Sequence, residues 1–355
     1  MTSLNPSVSR LIGKFVKEDW LDFVFAHVNP MLTLNRSMAK VVSVTEETSD
    51  IKRFVLSPNR HWTSFKAGQF VSVRVMLNGV YVERCYSLVS APGEPLIEIA
   101  VKRQPHGKVS NWMHDTLSVG DVIELGDVGG EFVLPVALPD KLLLIAGGSG
   151  VTPIYSLLVQ ALSERAVMDV VVLYYANTAD DLAFAQEMRR LAEKHPGLRL
   201  QFALASDGDV GFFSQEQLVA ACSDFEDRST YICGPAGLMS AVTSVWKALG
   251  IEERLTKEVF GFITIDPDAS ISEMPITLQR SQQEFVNSKS SLLESAEAAG
   301  ARPAHGCRTG VCKTCSCTKV SGVVRDLLTG VIDDQPNTQI RICISEPLSA
   351  VTLDI

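Results

Sequence analysis

His305-Gly306-Cys307-Arg308-Thr309-Gly310-Val311-Cys312-Lys313-Thr314-Cys315, followed much later by Cys343 in Arg341-Ile342-Cys343-Ile344-Ser345, decides how this chain is read. Cys-x4-Cys-x2-Cys with a distant fourth cysteine is the thiolate spacing that wraps a plant-type [2Fe–2S] cluster. Three ligands on one tight loop need backbone amides turned toward the sulfurs. Gly306 and Gly310 are expected to supply the positive φ values this requires. The fourth ligand, Cys343, returns from a separate strand. Zinc is the competing metal, but it usually draws on two paired knuckles, and only one such pair exists here. One-electron chemistry is the expected theme.

A chain of 355 residues holds two or three ordinary domains. Its 46% apolar and 21% charged residues describe a globular protein with ample core. No apolar run approaches the roughly 20 residues that span a bilayer. The N-terminus lacks the basic start, apolar centre and small-residue cleavage site of a secretory signal, so a cytoplasmic place is expected. Five of the eight cysteines fall between 307 and 343, which suits thiolates kept reduced for metal rather than disulfides. A net charge of −9 argues against nucleic acid as a partner. Residues 270–355 hold eight Lys and Arg against nine Asp and Glu, so this end is near neutral and no acidic docking face is evident on it.

Hydrophobic patterning divides the chain. Residues 1–38 read as a helical leader, with Val8, Leu11, Ile12, Phe15 and Val16 at helical spacing. That face either packs on the next domain or docks at a membrane surface or partner, the second option giving a peripheral place at the inner face of the cell membrane. Residues 39–138 alternate in short runs such as Phe70-Val71-Ser72-Val73-Arg74-Val75, broken by turns such as Asn78-Gly79, the texture of a small antiparallel β-barrel. Residues 139–261 alternate buried strands, first Leu142–Ala146, with helices, which predicts an α/β domain with a parallel sheet. Residues 262–274 read as a linker, and 275–355 as a compact β-grasp unit with a helix near Ser291–Ala299.

Arg84-Cys85-Tyr86-Ser87 closes one barrel strand, and Gly107-Lys108-Val109-Ser110-Asn111-Trp112 opens a helix about twenty residues on. Together they resemble the flavin-binding signatures of the ferredoxin–NADP reductase superfamily. The resemblance implies that Arg84 pairs with the flavin pyrophosphate, that Tyr86 packs on the ring and that Ser87 lies near N5. It favours FAD over FMN through Gly107, Val109 and Ser110. The residue types suit these roles: Arg presents a planar fork to phosphate, and amides at a helix start favour an anion. A hydroxyl near N5 tunes the flavin without performing its chemistry.

Gly147-Gly148-Ser149-Gly150-Val151-Thr152-Pro153 follows a buried strand and opens a helix, a setting in which amides face a pyrophosphate. A glycine run alone is also a plain strand–helix turn. Cys233-Gly234-Pro235 repeats the strand-to-helix pattern. In the resembled family that cysteine lies beside the nicotinamide, and Glu258-Val259-Phe260-Gly261 resembles the stretch that returns to the flavin's face. The resemblance therefore marks Ser87, Cys233 and Glu258 as catalytic, and Gly147, Gly148, Gly150, Thr152, Pro153, Cys233, Gly234 and Phe260 as cofactor-binding. Asp180 and Asp181, in the turn where an adenosine ribose is expected, lean the choice toward NADH over NADPH; Arg189 and Arg190 read as solvated helix face.

Nicotinamide delivers two electrons as hydride and a [2Fe–2S] cluster carries one, so a flavin is the necessary converter between them. The implied route is NADH or NADPH to FAD to [2Fe–2S] to an external acceptor. Beyond residue 38 the chain resembles reductase components of fatty acyl-CoA desaturase, phenylacetyl-CoA oxygenase and steroid 9α-hydroxylase systems. Its helical leader makes a membrane-embedded fatty acyl desaturase the leading expected acceptor, by analogy. Alternatives are a soluble ring-hydroxylating or CoA-thioester monooxygenase, or a role as a redox-responsive interaction protein. Cys85 and Cys222 read as core, and Cys317 as a buried strand thiol. His305 reads as an exposed loop residue or a neighbour of the cluster.

Overall fold

A turn does fall at Gly79, which has φ +78° between two strands of an antiparallel sheet. The computed structural model describes Asp22, Phe25 and Val28, and residues 29–77, 79–165, 167–206, 208, 212–260, 273–288 and 291–355. The periodic run Val8–Val16 of the expected leader, and most of the expected linker 262–274, lie outside the described residues. The chain forms two compact units, Met1–Val82 with Tyr86–Thr256, and Lys257–Ile355 with Glu83–Cys85.

The first unit begins with β1 (Ser37–Glu46), β2 (Ile51–Pro58), β3 (Phe70–Leu77), β4 (Val80–Ser87), β5 (Ile97–Lys102), helix α1 (Lys108–Asp115) and β6 (Val122–Gly129). Strand order is β4-β3-β6-β1-β2-β5, and a bridge between Leu88 and Ile99 joins the outer strands. Closure removes the exposed edges that an open sheet would present. Inward residues Phe54, Leu56, Val71, Val73, Ile97 and Ile99 fill the interior, with Val109 and Met113 of α1 packed on them.

Next come β7 (Lys141–Gly147), α2 (Val151–Glu164), β8 (Asp169–Ala176), α3 (Ala185–Lys194), β9 (Leu198–Leu204), α4 (Gln215–Ala221), β10 (Ser229–Cys233), α5 (Ala236–Leu249) and β11 (Leu255–Glu258). The sheet order is β11-β10-β7-β8-β9, and β10, β7, β8 and β9 run parallel. Both faces are covered. Leu142, Leu144 and Ala146 point into one core and Leu143 and Ile145 into the other, so β7 is a continuous apolar run. The first of these cores also contains Ile51, Ala67, Phe132 and Leu134 from the barrel portion, so the two portions share apolar packing.

At the foot of the sheet the fully buried Arg228 donates to Asp169 at 2.8 Å and to Asp224 at 2.9 Å. Arg228 holds the Asp224 carboxyl far below its usual range. This cluster lies at the strands' entry end, opposite the glycine turns, and is structural.

The second unit contains β12 (Pro275–Leu278), β13 (Gln283–Val286), α6 (Leu292–Ala298), β14 (Ser316–Ser321), β15 (Val324–Asp326), β16 (Ile332–Asp333), β17 (Thr338–Arg341), β18 (Ser345–Pro347) and β19 (Val351–Leu353). They make a five-stranded sheet, β13-β12-β19-β14-β17, and a three-stranded one, β16-β15-β18. Ser291 caps α6 by accepting from the Glu294 amide at 3.2 Å. Leu292, Leu293 and Ala296 of that helix enter the core.

Candidate cofactor sites

The three loop cysteines occupy the coil between α6 and β14, and Cys343 lies just beyond β17. Cys307, Cys315 and Cys343 are buried and Cys312 is half-buried. The sulfurs fall into two pairs. Cys315 and Cys343 are hydrogen-bonded at 3.1 Å. The Cys307 amide donates to the Cys312 sulfur at 3.2 Å, and the Cys312 amide returns a bond to the Cys307 sulfur at 3.3 Å. Thr309 N–H adds a third amide, 3.4 Å from the Cys307 sulfur.

Within each pair one thiol is lowered and its partner raised. The Cys312 hydrogen bond lowers Cys307, and the Cys343 hydrogen bond brings Cys315 down to about 7. Among the described residues no three His, Cys, Asp or Glu side chains converge on a single ion position. Two thiolate pairs fit a two-iron cluster, with two sulfurs per iron, better than one tetrahedral zinc.

The loop corrects the glycine expectation. Gly310 has φ +78°, but the other left-handed residues of the loop are Arg308 (+63°) and Lys313 (+60°), not Gly306. Gly306 is needed for space: a Cβ there would lie 2.8 Å from the Cys312 sulfur and 2.9 Å from Thr314 Oγ1. Cys317 is a buried core thiol, as expected, and burial pushes it up to about 12. Cys85 is not core. It is half-buried and belongs to the same compact unit as the loop, and hydrogen bonding to the Cys307 sulfur raises its thiol strongly.

Tyr86 packs partly buried against the barrel core. Ser87 is 4% exposed, and its hydroxyl has no partner. Arg84 donates to the Glu83 carbonyl at 2.7 Å. Gly107 precedes α1, where a Cβ would strike Ser110 Oγ at 2.3 Å; that hydroxyl accepts from the Gln104 amide at 3.3 Å. Val109 points into the barrel core, so only its backbone can serve a ligand. Asn111 Oδ1 is a second buried oxygen without a partner. Orphaned polar atoms at the end of β4 and the start of α1 fit a polar cofactor, since such groups are otherwise costly to bury.

β7 lies between β8 and β10, and the chain continues in opposite directions from it. The Gly147–Pro153 turn and the Cys233-Gly234 turn therefore leave adjacent strand ends at the topological switch point, where α/β sheets take ligands. The two turns touch. A Cβ on Gly150 would sit 2.2 Å from the Cys233 carbonyl oxygen, and one on Gly147 2.7 Å from Pro235. These glycines thus serve close packing of the turns. Gly148, with φ +51°, is the one that faces open space; the Lys102 ammonium is 4.0 Å from its Cβ direction. Thr152 turns its hydroxyl back to the Ser149 carbonyl at 3.0 Å, Pro153 is buried, and Cys233 is fully buried.

Lys102 is a residue that sequence reading passes over, because nothing local marks a strand-end lysine. The ribose turn is also divided. Asp181 accepts from Thr178 N–H at 3.0 Å and its hydroxyl at 2.9 Å, leaving Asp180 as the exposed carboxylate. Arg189 lies over the Phe202 ring at 5.0 Å. In the second unit, the Glu258 carboxyl has an oxygen without a partner, and burial raises it to about 8. Phe260 is 38% exposed.

Comparison with known proteins agrees with this layout. An oxidoreductase FAD-binding domain matches residues 38–133, an oxidoreductase NAD-binding domain 144–244, and a 2Fe-2S iron-sulfur cluster binding domain 276–348. A glycine betaine monooxygenase reductase subunit of Chromohalobacter salexigens is 30% identical over 91% of this chain and 96% of its own length. The ferredoxin reductase component of 3-ketosteroid-9-alpha-monooxygenase from Rhodococcus rhodochrous is 31% identical over 85% of this chain and 91% of its own. An NADPH oxidoreductase of Mycobacterium tuberculosis is 29% identical over 99% and 92%. The solved phthalate dioxygenase reductase superposes with TM-score 0.63 at 26% identity, covering 90% of this chain and 97% of that one.

Proposed function

Because the chain belongs to the FAD- and NAD-binding oxidoreductases that carry a [2Fe–2S] domain, we propose that it is the reductase component of an oxygenase system, passing electrons from NAD(P)H to a separate terminal oxygenase. The observation that carries this reading is the succession of flavin, nucleotide and cluster domains in one chain. When bound, these groups convert a hydride into single electrons.

The chain's own residues have the following parts. Cys307, Cys312, Cys315 and Cys343 hold the iron, and the loop amides neutralise sulfur charge. Gly107, Val109 and Ser110 at the α1 start are the residues that would hold the flavin phosphates, and Tyr86 the one that would pack on its ring; in the second unit, Arg84 and Phe260 are its cofactor-binding residues. The unsatisfied Ser87 hydroxyl is the group that would hydrogen-bond the atom that receives hydride. The Gly148 turn, with Lys102 near it, takes the nucleotide pyrophosphate, and Cys233 stands beside the nicotinamide. Glu258, kept protonated by burial, is a proton source at neutral pH.

Two relatives named as reductase parts of monooxygenases support an oxygenase acceptor. A membrane fatty acyl desaturase stays as the competing acceptor on the leader's resemblance. The deciding experiment mixes reduced protein with a purified Rieske-type oxygenase and with desaturase-containing membranes. Substrate-dependent NAD(P)H consumption with the oxygenase supports the proposal; turnover with the membranes alone rejects it.

A further inference from the structure

Phe184, the residue just before α3, has φ +59°, a left-handed backbone that a bulky side chain keeps only where its surroundings dictate it. Those surroundings come partly from the barrel portion. The Phe184 ring stacks on Tyr155 of α2, with centroids 4.9 Å apart and planes 14° from parallel. On the barrel side, the guanidinium of Arg53 in β2 lies 5.4 Å from the ring centroid. The Phe184 amide donates to Glu47 Oε2 at 3.4 Å.

Three carboxylates from three parts of the chain hold Arg53 in place. Its Nε donates to Glu47 at 2.7 Å and its Nη2 to Glu187 of α3 at 3.1 Å, while Nη1 lies 3.5 Å from Glu98 of β5. The Glu47 side chain is 8% exposed, so that pairing is shielded from salt. A planar guanidinium can meet three acceptors and a ring face together, which a single ammonium does not do.

The turn Thr178–Leu182, where an adenosine ribose is expected, ends two residues before this corner. The Ala183 amide donates to the Asp181 carbonyl at 3.1 Å. That carbonyl is 3.4 Å from the Tyr174 hydroxyl, which also lies 3.3 Å from the Gly148 carbonyl. A continuous line of contacts thus runs from Arg53 through Phe184, Asp181 and Tyr174 to the Gly148 turn.

We propose that Arg53 is a positioning residue for the nucleotide, clamping the Phe184 corner from the barrel side and so holding the Thr178–Leu182 turn in register with the Gly148 turn. The proposal rests on the reading of these two turns as the nucleotide seat. Release of the clamp lets the turn sample arrangements that do not bind, and apparent affinity falls by the fraction of time so spent.

The test compares the FAD-loaded wild type with the double variant Arg53→Met, Glu47→Gln, which leaves no carboxylate buried opposite the lost cation. Without nucleotide, hydrogen exchange in peptides covering residues 178–185 should quicken roughly tenfold or more, with the β7 peptides unchanged. ADP-ribose should bind roughly tenfold more weakly by calorimetry, and KM for NAD(P)H should rise alike, while kcat for ferricyanide reduction stays within about twofold. Arg53→Lys, which keeps the charge without the fork, should recover only part of the affinity. Unchanged exchange would refute the clamp itself. Faster exchange with unchanged ADP-ribose affinity would overturn the proposal through its premise, since the nucleotide would then not sit on this turn. A fall in kcat with affinity intact would also overturn it. Should the double variant not fold, Glu187→Gln removes one arm of the clamp and should weaken ADP-ribose binding about threefold; no change there would count against the proposal equally.

Discussion

The sulfur of Cys315 lies 3.1 Å from that of Cys343, 28 positions further along the chain. Strand register produces this meeting. β14 pairs antiparallel with β17 through Ser316 opposite Arg341, and the Ile342 amide continues the ladder to the Cys315 carbonyl at 3.3 Å. A one-residue slip would turn the side chains to the other face.

Replacing Cys343 with serine should therefore abolish the visible iron–sulfur absorption. Flavin content and NAD(P)H-driven ferricyanide reduction should stay within about twofold, while cytochrome c reduction falls more than tenfold. Equal retention of both activities would place the cluster off the electron path.

Gly150→Ala tests the packed turns. The new methyl would lie 2.2 Å from the Cys233 carbonyl oxygen, so the turns must separate. Overpacking of this kind costs about 1–3 kcal/mol. Chemical denaturation should show that loss, and KM for the nucleotide should rise roughly tenfold or more. A fully stable variant with unchanged KM would show that the contact yields easily.

Ser87→Ala separates stability from chemistry. The wild-type hydroxyl is buried without a partner, so its removal should leave the unfolding free energy unchanged or slightly increased, by about 1 kcal/mol. Flavin reduction by NAD(P)H, read by stopped flow, should slow about tenfold to a hundredfold. An unaltered rate would remove Ser87 from the reaction.

The half-buried Glu258, with one carboxyl oxygen shut off from solvent, makes a signed prediction about pH. Its pKa rises from 4.5 unfolded to about 8 folded, so the folded chain binds the extra proton between those values. The group therefore destabilises progressively as pH climbs through this window, most fully above about 8. Glu258→Gln should gain stability relative to wild type as pH goes from 5 to 8, with the gap level beyond it. A gap independent of pH would mean that the carboxyl is ionised in the folded protein.

Much of the architecture is legible in residue patterns because each domain depends on short-range signals. Alternation in Phe70–Val75, the apolar run at Leu142–Ala146 and the cysteine spacing each specify local backbone geometry that tertiary contacts then accept. The reasons behind individual residues are less legible. Gly306 reads as a residue for positive φ and proves to be a residue for space beside the Cys312 sulfur. Val109 sits inside the stretch that reads as flavin-binding yet points into the barrel. Cys85 reads as core and instead meets Cys307. Lys102 leaves no mark in a local pattern, whereas the cap held by Asp181 follows the Thr178-x-x-Asp181 spacing of a capping box.

Composition, periodicity and the Cys-x4-Cys-x2-Cys run settle by themselves that this chain builds a barrel, a parallel sheet and a cluster loop, because backbone preference and ligand spacing act within a few residues. Folding in three dimensions decides which thiols pair, which glycines are held by contact with another turn, and which carboxylates already have partners. Those outcomes depend on the juxtaposition of residues far apart in sequence, and burial and distance there set the charge and reach of every group.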